Sequence, residues 1–167
     1  MPTDNNLAWS LVPASPDEIT VLRDKCRATV RRRAAVAAGM SAVPLPGVDL
    51  VSDVALFTKL VNETNQAFGL TEADIGRWQP ELRVMAYRAA AGVGGMLVGR
   101  LVTRELVLAL LKKAGIKLAA KTTAKVVPIA GQIASAAIGF AVFRQMGYQH
   151  VDACAEVARQ LLVAQKK

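Results

Sequence analysis

A short phrase occurs twice in this chain, as Val43-Pro44-Leu45-Pro46-Gly47 and as Val127-Pro128-Ile129-Ala130-Gly131. Each copy interrupts an apolar, alanine-rich stretch with helical patterning and leads into another. Proline removes a backbone donor and glycine relaxes the dihedrals, so each phrase is expected to stop one helix and redirect the chain into the next. The two valines stand 84 residues apart. This predicts two helix-break-helix units of similar design, with Pro44, Pro46, Gly47, Pro128 and Gly131 as structural residues.

The rest of the chain reads as helix with local punctuation. Residues 1–14 are polar and mixed and predict a flexible N-terminal arm, with Leu7, Trp9 and Leu11 available to dock on the body. Residues 15–167 predict a single helical domain. Ser15-Pro16-Asp17-Glu18 forms a capping box with proline at the first helical position, opening a helix to about Met40. Val48–Phe68 is amphipathic, and Gly69 is a left-handed stop over which Leu70 folds back. Thr71 to Asp74 restarts a short helix, and Pro80 opens the next. Gly92, Gly94, Gly95 and Gly99 predict a kink or split in the stretch from Pro80 to Ala114. Gly115 is expected to end that stretch, and a lysine-rich helix from Ile116 to reach the second phrase. An apolar helix to Gly147 and a closing helix from Tyr148 to about Ala164 follow. No segment alternates like a strand, so the expected fold is all-α, a compact bundle of about seven helices.

A chain of 167 residues is long enough for one domain with a real core. Apolar residues make up 53% and aromatics only 5%, so that core consists of Ala, Val, Leu and Gly. Small residues let helices approach closely, in a compact bundle or in a bilayer. The mean hydropathy of +0.30 is compatible with both. The longest uncharged stretch, Val126–Phe143, has 18 residues but contains Pro128, Gln132 and Ser135. Ala34–Val48 has 15 residues and two prolines. Both read as buried core helices or as re-entrant hairpins, and the latter reading gives an alternative function: a membrane-inserting or pore-forming protein using two apolar Pro-Gly hairpins.

Catalytic patterns are weak throughout. Gly94-Gly95-Met96-Leu97-Val98-Gly99-Arg100-Leu101 has the glycine spacing of a phosphate-binding loop, but Arg100 replaces its lysine, Leu101 its hydroxyl residue, and no strand precedes it. His150 has no partner at metal-ligand spacing and reads as a surface or helix-end histidine. Cys26 and Cys154 read as reduced thiols in a reducing compartment. Asp49 and Asp53 share a helical face; the structural reading gives Asp53 a buried position with an arginine or free amides as partner. No catalytic, cofactor-binding or metal-binding residue is expected, so the chain reads as non-enzymatic and without a cofactor. Met1 to Pro13 lacks a basic segment followed by an apolar one, so no secretory leader is expected.

Basic residues are placed more tellingly. Lys113, Lys117, Lys121 and Lys125 recur every four residues and form one ladder on a continuous helix, thickened by Lys112. With Arg31, Arg32 and Arg33 and a net charge of +8, they predict an anion-binding face. A solvated helix face explains such a ladder as well. Anionic lipid is the preferred partner because the adjoining segments are apolar; nucleic acid is disfavoured by the lack of basic-aromatic interleaving.

The run from Ala34 to Gly39, the phrase Val43 to Gly47 with Val48-Asp49-Leu50-Val51-Ser52-Asp53-Val54-Ala55-Leu56, then Phe68-Gly69-Leu70 and Thr71 to Asp74, resembles the helical domain of the immunity-related, interferon-inducible GTPases. It is also similar to a bacterial helical domain of unknown function that accompanies GTPase domains in membrane-associated proteins. The run from Val127 through Phe140 and the helix near Tyr148 to Leu162 are similar to the closing part of that domain. The resemblance spans about residues 18–164. Those GTPases carry a nucleotide-binding domain with a true phosphate-binding loop, and this sequence has none, so the resemblance implies the helical part alone and transfers no catalytic residue. It implies a cytoplasmic, peripherally membrane-associated domain that meets an anionic membrane or a partner protein such as a GTPase, or that self-associates.

Overall fold

The structure is a computed structural model that describes residues 12–41, 48–94, 97–100, 102–121 and 128–165; within helices it leaves aside the side chains of residues 40–41, 48–53, 115, 117–121 and 128–136. The described residues are all-helical, in six helices: α1 (Pro16–Ser41), α2 (Val48–Ala67), α3 (Glu72–Gly76), α4 (Pro80–Gly92), α5 (Arg104–Lys121) and α6 (Pro128–Gln165). They group into two compact units. The first comprises Met1–Arg27, Val61–Leu101 and Gln149–Lys167, and the second Ala28–Leu60 and Val102–Tyr148.

Local chemistry explains the boundaries in the first unit. Ser15 Oγ accepts from the Glu18 amide at 3.1 Å, while the Glu18 carboxylate reaches back past Ser15 to the Ala14 amide at 2.8 Å. The capping box is thus shifted by one residue, with the Glu18 amide still satisfied by Ser15. At the end of α2, Gly69 adopts φ +65°, its amide donates to Gln66, and the Leu70 amide donates to Asn65 at 2.8 Å. These are the two bonds of a Schellman stop, and Leu70 is fully buried over it. Thr71 and Asp74 cap α3 reciprocally. Pro80 occupies the first turn of α4, where its missing amide costs nothing.

The glycine-rich stretch does split: α4 ends at Gly92, and Gly94 and Gly99 have φ of +67° and +65°. At Gly99 an added Cβ would lie 2.5 Å from Ile75 Cδ1, so glycine serves there both the dihedral and the close approach. Two other expected boundaries are absent. Helix α5 runs through Gly115 and α6 runs through Gly147, which is why six helices stand where about seven were expected. An interior glycine costs about 1 kcal/mol, an amount that flanking helix formers and packing can outweigh.

Packing is visible at Gly147 in the second unit. A Cβ there would meet Val30 Cγ1 at 2.7 Å, Val30 Cγ2 at 3.1 Å and Leu60 Cδ2 at 3.3 Å. Glycine therefore lets α6 approach both side chains. Around this contact Val30, Ala34, Phe57, Leu60, Val107 and Phe143 are buried, and the Phe57 and Phe143 rings meet edge to face at 5.1 Å.

The second phrase also differs from expectation. Pro128 opens α6 and Gly131 lies within it, because proline suits a first helical turn better than a turn's exit. Pro44, Pro46, Gly47 and Val127 lie outside the described residues, as does the N-terminal arm through Leu11.

Two glycines of α6 provide a paired test. An added Cβ at Gly139 meets nothing within 4 Å, whereas at Gly147 it strikes the stiff, buried Val30. Gly139→Ala is expected to raise stability by up to about 1 kcal/mol, and Gly147→Ala to lower it by about 1–3 kcal/mol. Chemical denaturation of both variants checks the signs.

Candidate functional site

Net charge divides unequally between the two units. The first unit contains ten basic and ten acidic residues, while the second contains eleven basic and three acidic, so the entire excess of +8 belongs to the second. All eight residues of the expected anion-binding set fall in that basic unit. Arg31 and Arg32 are exposed on α1, and Arg33 is half-buried. Lys112 and Lys113 are exposed on α5. Lys117 and Lys121 belong to the same helix, with side chains outside the described residues, and Lys125 lies outside them altogether. The Asp53 side chain, on α2, is likewise outside the described residues.

Helix α5 is positioned by its own start and by its core face. Thr103 Oγ1 accepts from the Leu106 amide at 3.3 Å, capping the helix, and Val107 and Leu111 are buried. Opposite them the helix presents Lys112, Lys113 and Ile116, and Ile116 is 70% exposed. Spacings of three and four place Ile116 beside both lysines. Sequence reasoning found the lysines but passed over Ile116, whose signal is its position between Lys113 and Lys117 on the basic face.

A second polar group lies inside the first unit. His150 is not at the surface or at a helix end, as the sequence suggested, but 6% exposed in the interior of α6. The face it shares with Cys154, Val157 and Leu161 is buried, and that periodicity was the available signal. Cys154 Sγ lies 3.6 Å from His150 Nε2 and 3.5 Å from Asn65 Oδ1, and Asn65 Nδ2 donates to the Leu97 carbonyl at 3.0 Å. The imidazole also meets the backbone of Val61.

A cysteine, a histidine and an asparagine together suggest nucleophilic catalysis, but the geometry and electrostatics point elsewhere. All three residues are buried, and the asparagine contacts the thiol instead of orienting the imidazole. Burial pushes the Cys154 thiol far above its usual range and holds His150 down at about 4, so both are neutral near pH 7. The group satisfies buried polar atoms and ties α6 to the end of α2 and to the loop at Leu97. Both cysteines are free thiols. Among the described residues, no three His, Cys, Asp or Glu side chains are grouped to hold a metal ion, and no helix is long and apolar enough to cross a membrane.

No protein-family model, curated protein or solved structure matches this chain.

The buried imidazole makes stability depend on pH. An unfolded chain takes up the proton near 6.5 and the folded one only near 4, so the stabilising difference is fully present above pH 6.5 and is lost as pH falls toward 4. The loss attributable to His150 is about 3 kcal/mol. Denaturation curves collected between pH 7 and pH 4 should show that slope in the wild type and a shallower one in His150→Gln.

Proposed function

We propose that this chain is a non-enzymatic helical domain that associates peripherally with anionic membranes through its basic unit. The supporting observation is the charge partition: eleven basic residues against three acidic in one unit, with a balanced partner unit. A lysine near an anionic leaflet contributes about 1 kcal/mol of attraction, which falls off within the screening length. Ile116, between the lysines of α5, supplies an apolar side chain that enters the boundary between headgroups and acyl chains. The sequence resemblance to the helical domain of immunity-related GTPases fits this reading, since those proteins act at vacuole and vesicle membranes. A partner protein such as a GTPase is the companion reading, because the helical part that the sequence resembles works beside a GTPase domain in that family.

Cosedimentation with vesicles tests the proposal. The wild type is expected to bind phosphatidylserine-containing vesicles more tightly than phosphatidylcholine vesicles, with the difference shrinking as salt rises. Replacing Lys112, Lys113, Lys117, Lys121 and Lys125 by Gln should weaken that binding by a factor on the order of a hundred or more without lowering the melting temperature. Equal binding by wild type and variant at low salt contradicts the membrane role and makes a protein partner the leading reading. Material that resists carbonate extraction instead supports insertion of the apolar hairpins.

A further inference from the structure

The first unit contains a cleft of about 730 Å³, within the size range of small-molecule sites. One wall is α1, which contributes Arg23 and Arg27 four residues apart; the facing wall is α6, which contributes Asp152, Glu156 and Arg159. Gly94, with φ +67° and open space where a side chain would stand, borders the cleft. On α6 this wall is conspicuous because the surrounding helix is buried on its other faces: Ala153, Cys154, Ala155, Val157, Ala158, Leu161 and Leu162 all lie in the core. Of the four residues of that segment open to solvent, Asp152, Glu156 and Arg159 are charged and face the cleft, and the fourth is Gln160.

Hydrogen-bonding capacity in the cleft is unevenly spent. Asp152 gives both carboxylate oxygens to Arg27, at 3.0 and 2.6 Å. Glu156 accepts from Arg159 on one oxygen and from Gln160 on the other, each at 3.2 Å. Both carboxylates are thus engaged. Arg23 directs Nε and Nη2 at a single oxygen of Asp24, a residue outside the cleft whose side chain is 60% exposed. Arg159 uses Nη1 alone. Besides the exposed amide of Gln149, what the cleft has left to offer is guanidinium donors, on two arginines whose present partners are solvent-screened neighbours on their own helices.

We infer that this cleft is a binding site for a small molecule bearing a phosphate or carboxylate group, gripped by Arg23 from α1 and Arg159 from α6 beside the fixed Arg27–Asp152 pair. Planar guanidinium forks match both oxyanions. Arg27 is already oriented by its bidentate bond and positions the two helices. The site belongs to the charge-balanced unit, so it is independent of the basic membrane-binding face.

Titration calorimetry with pyrophosphate and with succinate, on the full chain, tests the inference. Saturable binding of either probe is expected, and the tighter probe assigns the oxyanion. Arg23→Gln with Arg159→Gln should weaken binding about tenfold or more, the loss expected for charge-assisted contacts, while Lys112→Gln with Lys113→Gln leaves it unchanged. The charge-conserving pair Arg23→Lys and Arg159→Lys should fall between, and serves alone where the glutamine pair no longer melts cooperatively. Vesicles containing phosphatidic acid separate the sources: competition with the probe that disappears in the arginine variant assigns a lipid headgroup, and its absence a free ligand. Failure of both probes to saturate at about 10 mM, equal binding by the arginine variants, or a loss that follows the lysine variant overturns the site.

Discussion

The first unit depends on the burial of one helical segment. Between His150 and Leu162, α6 exposes only Asp152, Glu156, Arg159 and Gln160 to any degree; the other residues are withdrawn from solvent. A helix covered on most of its circumference must be contacted from several directions, and its small residues Ala153, Ala155 and Ala158 let neighbours come close. Two consequences follow. Any polar side chain on the covered faces needs an internal partner, which the contacts among His150, Cys154 and Asn65 provide. Whatever remains open on this helix becomes a defined chemical surface, here the charged wall of the cleft.

The second unit works under a different constraint. Its core also relies on close approach, with Gly147 admitting Val30 and Leu60, but its residues carry all the excess positive charge. Like charges held on one unit repel one another, and an anionic partner relieves that repulsion. One unit thus carries a polar cleft, and the other the excess positive charge. Each assignment rests on different residues and fails independently.

Helix starts and stops were legible because their chemistry is local. Ser15-Pro16, the Gly69-Leu70 stop, the Thr71–Asp74 cap and Pro80 each act through residues within a turn of one another. Gly115 and Gly147 were misread for the complementary reason. Both look like stops in sequence, and for Gly147 only a neighbour distant in the chain, Val30, reveals that the glycine serves packing. The Arg27–Asp152 pair, 125 residues apart in sequence, and the interior position of His150 are hidden in the same way. Of the candidate anion-binding residues, the sequence supplied their identity and helical face. It did not reveal that they collect in one unit while acids and bases balance in the other, because that depends on which segments fold together.

Amide hydrogen exchange, measured with and without anionic vesicles, tests the division of labour most directly. Vesicles are expected to slow exchange in the basic unit, foremost along α5 around Lys112 to Ile116, and to leave α3 and α4 of the balanced unit unchanged. Slowing confined to α3 and α4, or no vesicle-dependent change anywhere, would contradict it.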